Sequence, residues 1–304
     1  MIHVINPGLL TTVQDLGRRG YTHLGLSPAG AADSVSFRIA NLLAGNEANA
    51  PALEITLIGP TLEFETAATI AISGHGTTVS LPINQAFEVA AGTRLMVGPL
   101  SAGARAYLSV RGGFKVPQVM NSCATFLPAK IGGFDGRALR SGDKLAIGDR
   151  IQSGPRKLSS SFSYANLLPP DGPIRVTPSL QSDWFDHETI GRFYQQPFTV
   201  TDQSNRSGLR LAGEPTPSTG HGELLTEGIA LGAVQVPFDG QPIVLFVDQQ
   251  TTGGYPRIAN VISADIPRIG QLRPRDEIKF QSVSLVQAAE LLRAQERALH
   301  EAVS

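Results

Sequence analysis

The sequence predicts a mainly β protein with a few helices, arranged as two β-rich domains. Three observations lead there. The chain has 304 residues, about twice the length of a typical domain and enough for two buried cores. Its 32 glycines and 21 prolines are scattered throughout, so regular elements are interrupted every few residues, as short strands and turns require and long helical bundles do not tolerate. Its apolar runs are short, and each is bounded by turn residues.

The start, Met1 to Gly8, lacks the basic and apolar regions of a secretory signal, so no export is expected. Asp33 is placed to cap a helix whose apolar face carries Val35, Ile39, Leu42 and Leu43 and which Gly45 ends. Ala68 to Ser73 and Ala106 to Val110 read as strands, and Ile243 to Val247 as a strand buried on both faces. Gly74-His75-Gly76 is too short for a dinucleotide fingerprint and reads as a turn after a strand. From Ile151 to Gly172 the chain turns to linker chemistry, including Ser159-Ser160-Ser161 and Pro169-Pro170-Asp171-Gly172. That stretch puts the division between residues 1–155 and 156–304. Gly213 to Gly220 reads as an exposed loop. Ser284 with Gln287 three residues on is a capping box that opens a helix through Leu285, Ala288, Leu292 and Leu299.

Lys and Arg total 25 against 26 Asp and Glu, so charge offers no reason to expect nucleic acid or an anionic membrane as partner. No apolar run approaches the roughly 20 residues of a membrane-spanning helix. One cysteine, Cys123, fits a reducing cytoplasm. The chain has no P-loop, zincin or nucleophile-elbow pattern. Its histidines (His3, His23, His75, His187, His221, His300) are dispersed, which speaks against a histidine-zinc site, and no metal is expected.

Two polar clusters at turns remain. The first runs from Thr11 to Gly20 and on to Asp33, with Gln14, Asp15, Arg18 and Asp33 as its candidate functional side chains. A structural reading stands beside the functional one: Asp33 as a helix cap, Asp15 and Arg18 as a local pair. The second starts at Gln235, crosses the buried run, and emerges as Asp248 to Arg257, with Gln249, Thr251, Thr252, Gly253, Gly254 and Tyr255 at its centre. A polar run directly after a buried strand has a rigid support, and paired glycines let backbone N–H groups approach an anion or a carbonyl oxygen. Thr251 to Gly254 is therefore expected to form an oxyanion- or phosphate-binding turn, with Gln235 and Gln249 orienting the substrate.

These clusters, together with Asn41 to Asn46, Ala52 to Thr56, Val110 to Phe114, Gly132 to Arg137 and Ser204-Asn205-Arg206, resemble the family that includes the C subunit of 5-oxoprolinase, allophanate hydrolase subunit 2 and the biotin-dependent carboxyltransferase domain of urea carboxylase. The resemblance spans nearly the whole chain. It implies two domains related to the cyclophilin-like β-barrel and a heteromeric complex with the B and A subunits of 5-oxoprolinase. It also implies ATP-driven hydrolysis of 5-oxo-L-proline to L-glutamate, with ATP shared among the subunits and cleaved to ADP and phosphate. Arg206 then supplies a fork for a carboxylate or phosphate. The chain departs from the family pattern at Ser207, where methionine often follows the arginine, and at Arg275, where Arg-Pro-Gly-Asp becomes Arg273-Pro274-Arg275-Asp276. A left-handed conformation would cost a side chain there roughly 1 kcal/mol, so an altered turn is expected.

Two other readings belong to the same resemblance. One is carboxyl transfer from carboxybiotin to urea or a related amide, with biotin as cofactor, weakened because no fused biotin-carrying or biotin-carboxylase region is seen. The other is a non-enzymatic antagonist that sequesters an inhibitor of a sporulation kinase.

Overall fold

The computed structural model describes residues 1–76, 81–160, 162–219 and 224–303, the side chain of Asn166 excepted. Ser161, Gly220 and His221, which belong to the linker, the exposed loop and the histidines of the sequence reading, lie outside the described residues. The chain forms two compact units, one of Met1–Arg18, Ala29–Leu167 and Arg297–Ser304, the other of Arg19–Pro28 and Leu168–Glu296.

The first unit holds strands β1 (Ile2–Asn6), β2 (Leu10–Gln14), β3 (Ala52–Thr56), β4 (Thr61–Phe64), β5 (Ala68–Gly74), β6 (Gln85–Val89), β7 (Arg94–Met96), β8 (Arg105–Val110) and β9 (Lys144–Leu145), with helices α1 (Ser34–Leu43) and α2 (Tyr164–Leu167). They make a five-stranded sheet, β2-β3-β8-β5-β6, and a four-stranded sheet, β7-β4-β1-β9. Alternation along the strands explains how both faces of the larger sheet are filled. Val13, Leu53, Ile55, Ile70, Ile72 and Leu108 share one core with Ile2, Leu62 and Phe64 of the smaller sheet. The opposite face turns Ala52 and Tyr107 toward Phe37 and Ala40 of α1. Full burial of a side chain such as Phe37 contributes roughly 2–3 kcal/mol.

Helix α1 starts where the sequence places it, with the Asp33 carboxylate accepting from Val35 N at 3.0 Å and Ser36 N at 2.9 Å. Gly45, at φ +80, ends it. The stretch read as the start of a linker is pinned to this unit by its backbone. Gln152 N and Arg156 N donate to the carbonyls of Gly45 and Leu43, each at 2.9 Å, and Ser159 N donates to Ala302 O at 2.9 Å. Residues as far as Leu167 therefore stay with the first unit.

The second unit carries β10 (Ile174–Pro178), β11 (Phe198–Val200), β12 (Gly208–Ala212), β13 (Glu227–Gly228), β14 (Ala233–Gln235), β15 (Ile243–Leu245), β16 (Thr252–Gly253), β17 (Arg257–Val261), β18 (Glu277–Ile278) and β19 (Phe280–Ser282). Helices α3 (His187–Gln195) and α4 (Ile266–Ile269) follow β10 and β17, and α5 (Leu285–Ala302) follows β19. Eight strands form one sheet in the order β18-β11-β12-β15-β14-β17-β10-β19. Its two outermost strands, β18 and β19, are separated in the chain by Lys279 alone, so the sheet has to curl round until its edges nearly meet. This is the nearly closed barrel that the resemblance implied. The capping box of α5 is formed as read from the sequence: Ser284 N donates to Gln287 Oε1 at 2.8 Å and Gln287 N to Ser284 Oγ at 3.2 Å.

The turn at Arg273-Pro274-Arg275-Asp276 corrects the sequence reading. Arg275 occupies the left-handed region at φ +76, so the turn keeps the geometry a glycine would favour instead of changing it. Its second half is tied to β11: Arg275 N donates to Val200 O at 2.7 Å and Val200 N to Asp276 O at 2.9 Å. Asp276 Oδ2 also accepts from Arg273 N at 2.8 Å. These bonds over-determine the backbone and hold it against the Cβ penalty.

Candidate functional site

Within the second unit, Val244 to Val247 are buried and deliver the chain to a turn, where Gln249 N donates to Phe246 O at 2.9 Å. Ser27, in the Arg19–Pro28 segment of the same unit, ties this turn down by donating its hydroxyl to Val247 O at 2.5 Å. Beyond it, β16 pairs with β13, Gly253 opposite Glu227 and Thr252 opposite Gly228, and Ile229 N donates to Thr251 O at 3.0 Å. The expected oxyanion turn at Thr251 to Gly254 is therefore a short antiparallel ladder. Neither glycine has positive φ, so no left-handed nest of N–H groups forms there. What the glycines provide is close approach. A Cβ on Gly253 would stand 2.5 Å from Ile229 Cδ1 and 3.0 Å from Gln235 Nε2, and one on Gly254 would stand 3.0 Å from Leu224 O.

The structure brings Gln235, Gln249, Gly253 and Tyr255 together around this ladder. Gln235 is buried in β14, opposite Arg257 of β17. Its Nε2 donates to Tyr255 O and its Oε1 accepts from Gln250 Nε2, both long bonds of 3.5 Å. Gln249, also buried, donates Nε2 to Ile229 O at 3.1 Å. Thr252 is exposed. Tyr255 is partly exposed and meets the exposed ring of Phe238 edge-on, centroids 5.9 Å apart.

The Arg206 fork, expected to hold an anion, faces Asp248 within the protein. Its Nε donates to Asp248 Oδ2 at 2.8 Å and its Nη2 to Asp248 Oδ1 at 3.0 Å, with Arg206 5% and Asp248 1% exposed at the side chain. Leaving that carboxylate alone in a low-dielectric interior would be costly, so the fork belongs to Asp248.

A second buried cation, Arg257, stands at the end of the sequence cluster. Its Nε donates to Gln181 Oε1 at 2.9 Å and its Nη1 to Gly228 O at 3.2 Å. Its Nη2 pairs with Glu227 Oε1, which also accepts from Gln181 Nε2 at 2.8 Å. Gln181 and Glu227 are the members of this cluster that sequence reasoning missed. Gln181 and Glu227 lie 76 and 30 residues from Arg257, beyond any local spacing rule. The resulting cluster presents uncharged amide groups, with its two buried arginines engaged by carboxylates.

In the first unit, Gln14, Asp15, Arg18 and Asp33 are all buried, and three of them clasp one strip of backbone. Asp15 Oδ2 accepts from Cys123 N at 2.5 Å and Oδ1 from Ser122 Oγ at 2.7 Å. Arg18 Nη2 donates to Ala124 O, and Gln14 Nε2 donates to Thr125 O at 3.2 Å. Gly132, at φ +69, lies against Arg18, where an added Cβ would stand 2.6 Å from Nη2. Asp33 is the cap of α1 and accepts from Tyr164 OH at 3.4 Å. Tyr107 OH accepts from Asp33 N and donates to Glu54 Oε2, both at 2.7 Å. Burial, then the nearby Glu54 and Asp33 charges, pushes the Tyr107 phenol well above its ordinary pKa, so it remains a fixed donor. Burial first, then Asp15, likewise raises the Cys123 thiol, which suits packing and not nucleophilic work.

Among the described residues no trio of His, Cys, Asp or Glu stands close enough to hold a metal. None of their helices is long and apolar enough to cross a membrane.

Residues 24–282 match the family described as carboxyltransferase domain, subdomains A and B. The chain is 43% identical to the C subunit of 5-oxoprolinase from Escherichia coli over 98% of its own length and 96% of that protein. Against the C subunit of 5-oxoprolinase from Haemophilus influenzae it is 39% identical, over 97% of its length and 96% of the relative. A crystal structure of the K. lactis urea amidolyase superimposes with a TM-score of 0.90 and 34% identity, covering 98% of this chain and 20% of that one.

Proposed function

The chain belongs to the carboxyltransferase-domain family, and from that premise we propose that it is the C subunit of a 5-oxoprolinase complex. The complex hydrolyses 5-oxo-L-proline to L-glutamate while cleaving ATP to ADP and phosphate, in the cytoplasm and together with A and B subunits. The observation that carries this reading is end-to-end correspondence: the chain and its E. coli relative cover 98% and 96% of one another.

The chemistry of the second unit supports the reading. A lactam is a neutral amide, and the cluster around Gln235, Gln249 and Gly253 offers neutral hydrogen-bonding groups on a rigid sheet. That cluster does not fit a triphosphate, because Arg206 faces Asp248 and Arg257 faces Glu227. Both ion pairs support a reading in which ATP is shared across the assembled complex. The part of this chain is to bind and orient the amide.

A second reading, carboxyl transfer from carboxybiotin to urea or a related amide, draws on the 0.90 TM-score to the urea amidolyase. It would use the same amide-binding groups. Assays with purified components separate the two. The isolated chain is expected to release no glutamate from 5-oxoproline, and addition of the A and B subunits is expected to start ATP-coupled release. Turnover by the chain alone, or an inactive complete mixture, would overturn the 5-oxoprolinase reading. Carboxylation of urea by the chain with a carboxybiotin donor would establish the alternative.

A further inference from the structure

We infer that a cavity in the first unit is a binding site for an amino dicarboxylate, which sets its α-amino acid head between Asp149 and Arg150 and its distal carboxylate at Lys115. L-Glutamate, the product in the 5-oxoprolinase reading, is such a ligand; its being the product rests on that reading, and the site does not.

The cavity holds about 300 Å³, the lower end of the range for small-molecule sites. Two stretches of backbone, laced together, form much of its wall. Lys115 N donates to Ala146 O at 2.8 Å, Gly148 N to Gly113 O at 2.7 Å and Arg150 N to Gly112 O at 3.0 Å. Phe114 N ties the first stretch to Pro51 O, also at 3.0 Å. The two stretches approach so closely that a Cβ on Gly112, at φ +97, would stand 2.2 Å from Gly148 O. In this register Arg150 lies beside Gly112 at one end and Lys115 lies at the other, roughly 10 Å along an extended backbone.

Between those ends the lining is apolar, with Phe114, Val116, Ile147 and the Cys123 thiol, which burial keeps protonated. The Arg150 charge acts on that thiol in the opposite sense, which sets the guanidinium within reach of the cavity floor. Arg150 is half-buried, and Lys115 and Asp149 are exposed at the rim. Among the described residues none of these three side chains has an ion-pair or hydrogen-bond partner. Arg137 and Arg94 of the same unit are, by contrast, engaged by Asp143 and Glu63. Two cations across an apolar floor, with a carboxylate beside one of them, are complementary to two carboxylates joined by methylenes, with an ammonium at one end. A monocarboxylate such as 5-oxo-L-proline leaves Lys115 unanswered.

The test titrates L-glutamate into the full chain by calorimetry, beside L-norvaline, which lacks the distal carboxylate, and glutarate, which lacks the ammonium. L-Glutamate is expected to bind with a Kd of about 1 mM or below, ahead of each analogue by roughly threefold or more. Arg150→Met should weaken it roughly 10- to 100-fold, the range of charge-assisted hydrogen bonds. Lys115→Met should weaken it roughly threefold, as for an exposed pair, and leave L-norvaline unchanged. A general loss of fold would move both ligands together. A wild type that does not bind L-glutamate, or binds all three ligands alike, overturns the inference without any variant. L-Glutamate affinity that persists in Arg150→Met overturns it too, as does displacement of L-glutamate by 5-oxo-L-proline, the result expected if the product binds at the amide cluster instead. Binding is read on this chain alone, so a complex without 5-oxoproline turnover would overturn the functional reading and leave the outcome here standing.

Discussion

Replacing Arg206 by methionine separates two roles for that residue. If the guanidinium served substrate, Arg206→Met would raise KM and leave the fold alone. The structure gives it a different task, a bidentate bond to Asp248 at 2.8 and 3.0 Å with both side chains almost fully buried. Two unit charges about 4 Å apart at an effective dielectric of about 20 attract by about 4 kcal/mol. That agrees with the roughly 3–5 kcal/mol lost when one member of a buried pair is removed and the other is stranded. At about 2–4 °C per kcal/mol, Arg206→Met should lower the melting temperature by about 10 °C. The one tryptophan, Trp184, lies in the same unit, so its fluorescence during urea unfolding reports the relevant transition. The distinguishing measurement is the double variant Arg206→Met with Asp248→Leu. Removing both charges should restore most of the lost stability, because no stranded carboxylate remains. An Arg206→Met protein that unfolds like the wild type, with its defect confined to KM, would refute the reasoning.

Two further predictions concern the turns. Arg275→Gly relieves a Cβ at φ +76 and should raise the unfolding free energy by about 1 kcal/mol; a lower denaturant midpoint would mean that the arginine side chain contributes more than its backbone costs. Arg137 grips Asp143 through two bonds of 2.7 and 2.8 Å, and this hydrogen bonding holds the Asp143 carboxyl below the ordinary carboxylate range. A group whose folded pKa is depressed stabilises above its unfolded pKa and loses that contribution as pH falls through the folded one. Asp143→Asn should therefore cost about 1 kcal/mol at neutral pH, and the gap to wild type should close as pH drops below about 4. A gap that stays constant or widens in acid counts against the pair.

The parts of the fold legible in the sequence are those with local grammar. Asp33 and the Ser284–Gln287 box mark helix starts because a cap needs only neighbours within one turn. Ile243 to Val247 stands out as a strand because the run is apolar throughout. Helix α3 has a cap of the same kind, Asp186 Oδ1 accepting from Thr189 N at 2.7 Å, but of its nine residues only Thr189 and Phe193 are buried, too few for a visible stripe. The candidate site was legible as a place but not as a geometry. The glutamines, glycines and Tyr255 of the second cluster do converge. The partner that claims Arg206 lies 42 residues away, and the ladder of Thr252–Gly253 with Glu227–Gly228 is too short to leave a periodic trace. In the first cluster, the density of polar residues signalled an important loop. Its bonds run to Ser122, Cys123, Ala124 and Thr125, partners more than 100 residues away that no local spacing rule could supply.

The single residue between β18 and β19 also has a meaning in the order of synthesis. Strand β10 finds its parallel neighbour only when residues 280 to 282 have been made, its register joining Ile174 to Phe280 and Val176 to Ser282. Until then the growing sheet has an unfilled rim on the side of β10 and another on the side of β11, each a template for misplaced strand pairing. One short stretch, Glu277 to Ser282, covers both rims almost simultaneously, since β18 docks on β11 as β19 docks on β10. Closure is thus a late event for the nascent chain, and a polypeptide halted before residue 277 would leave both rims open.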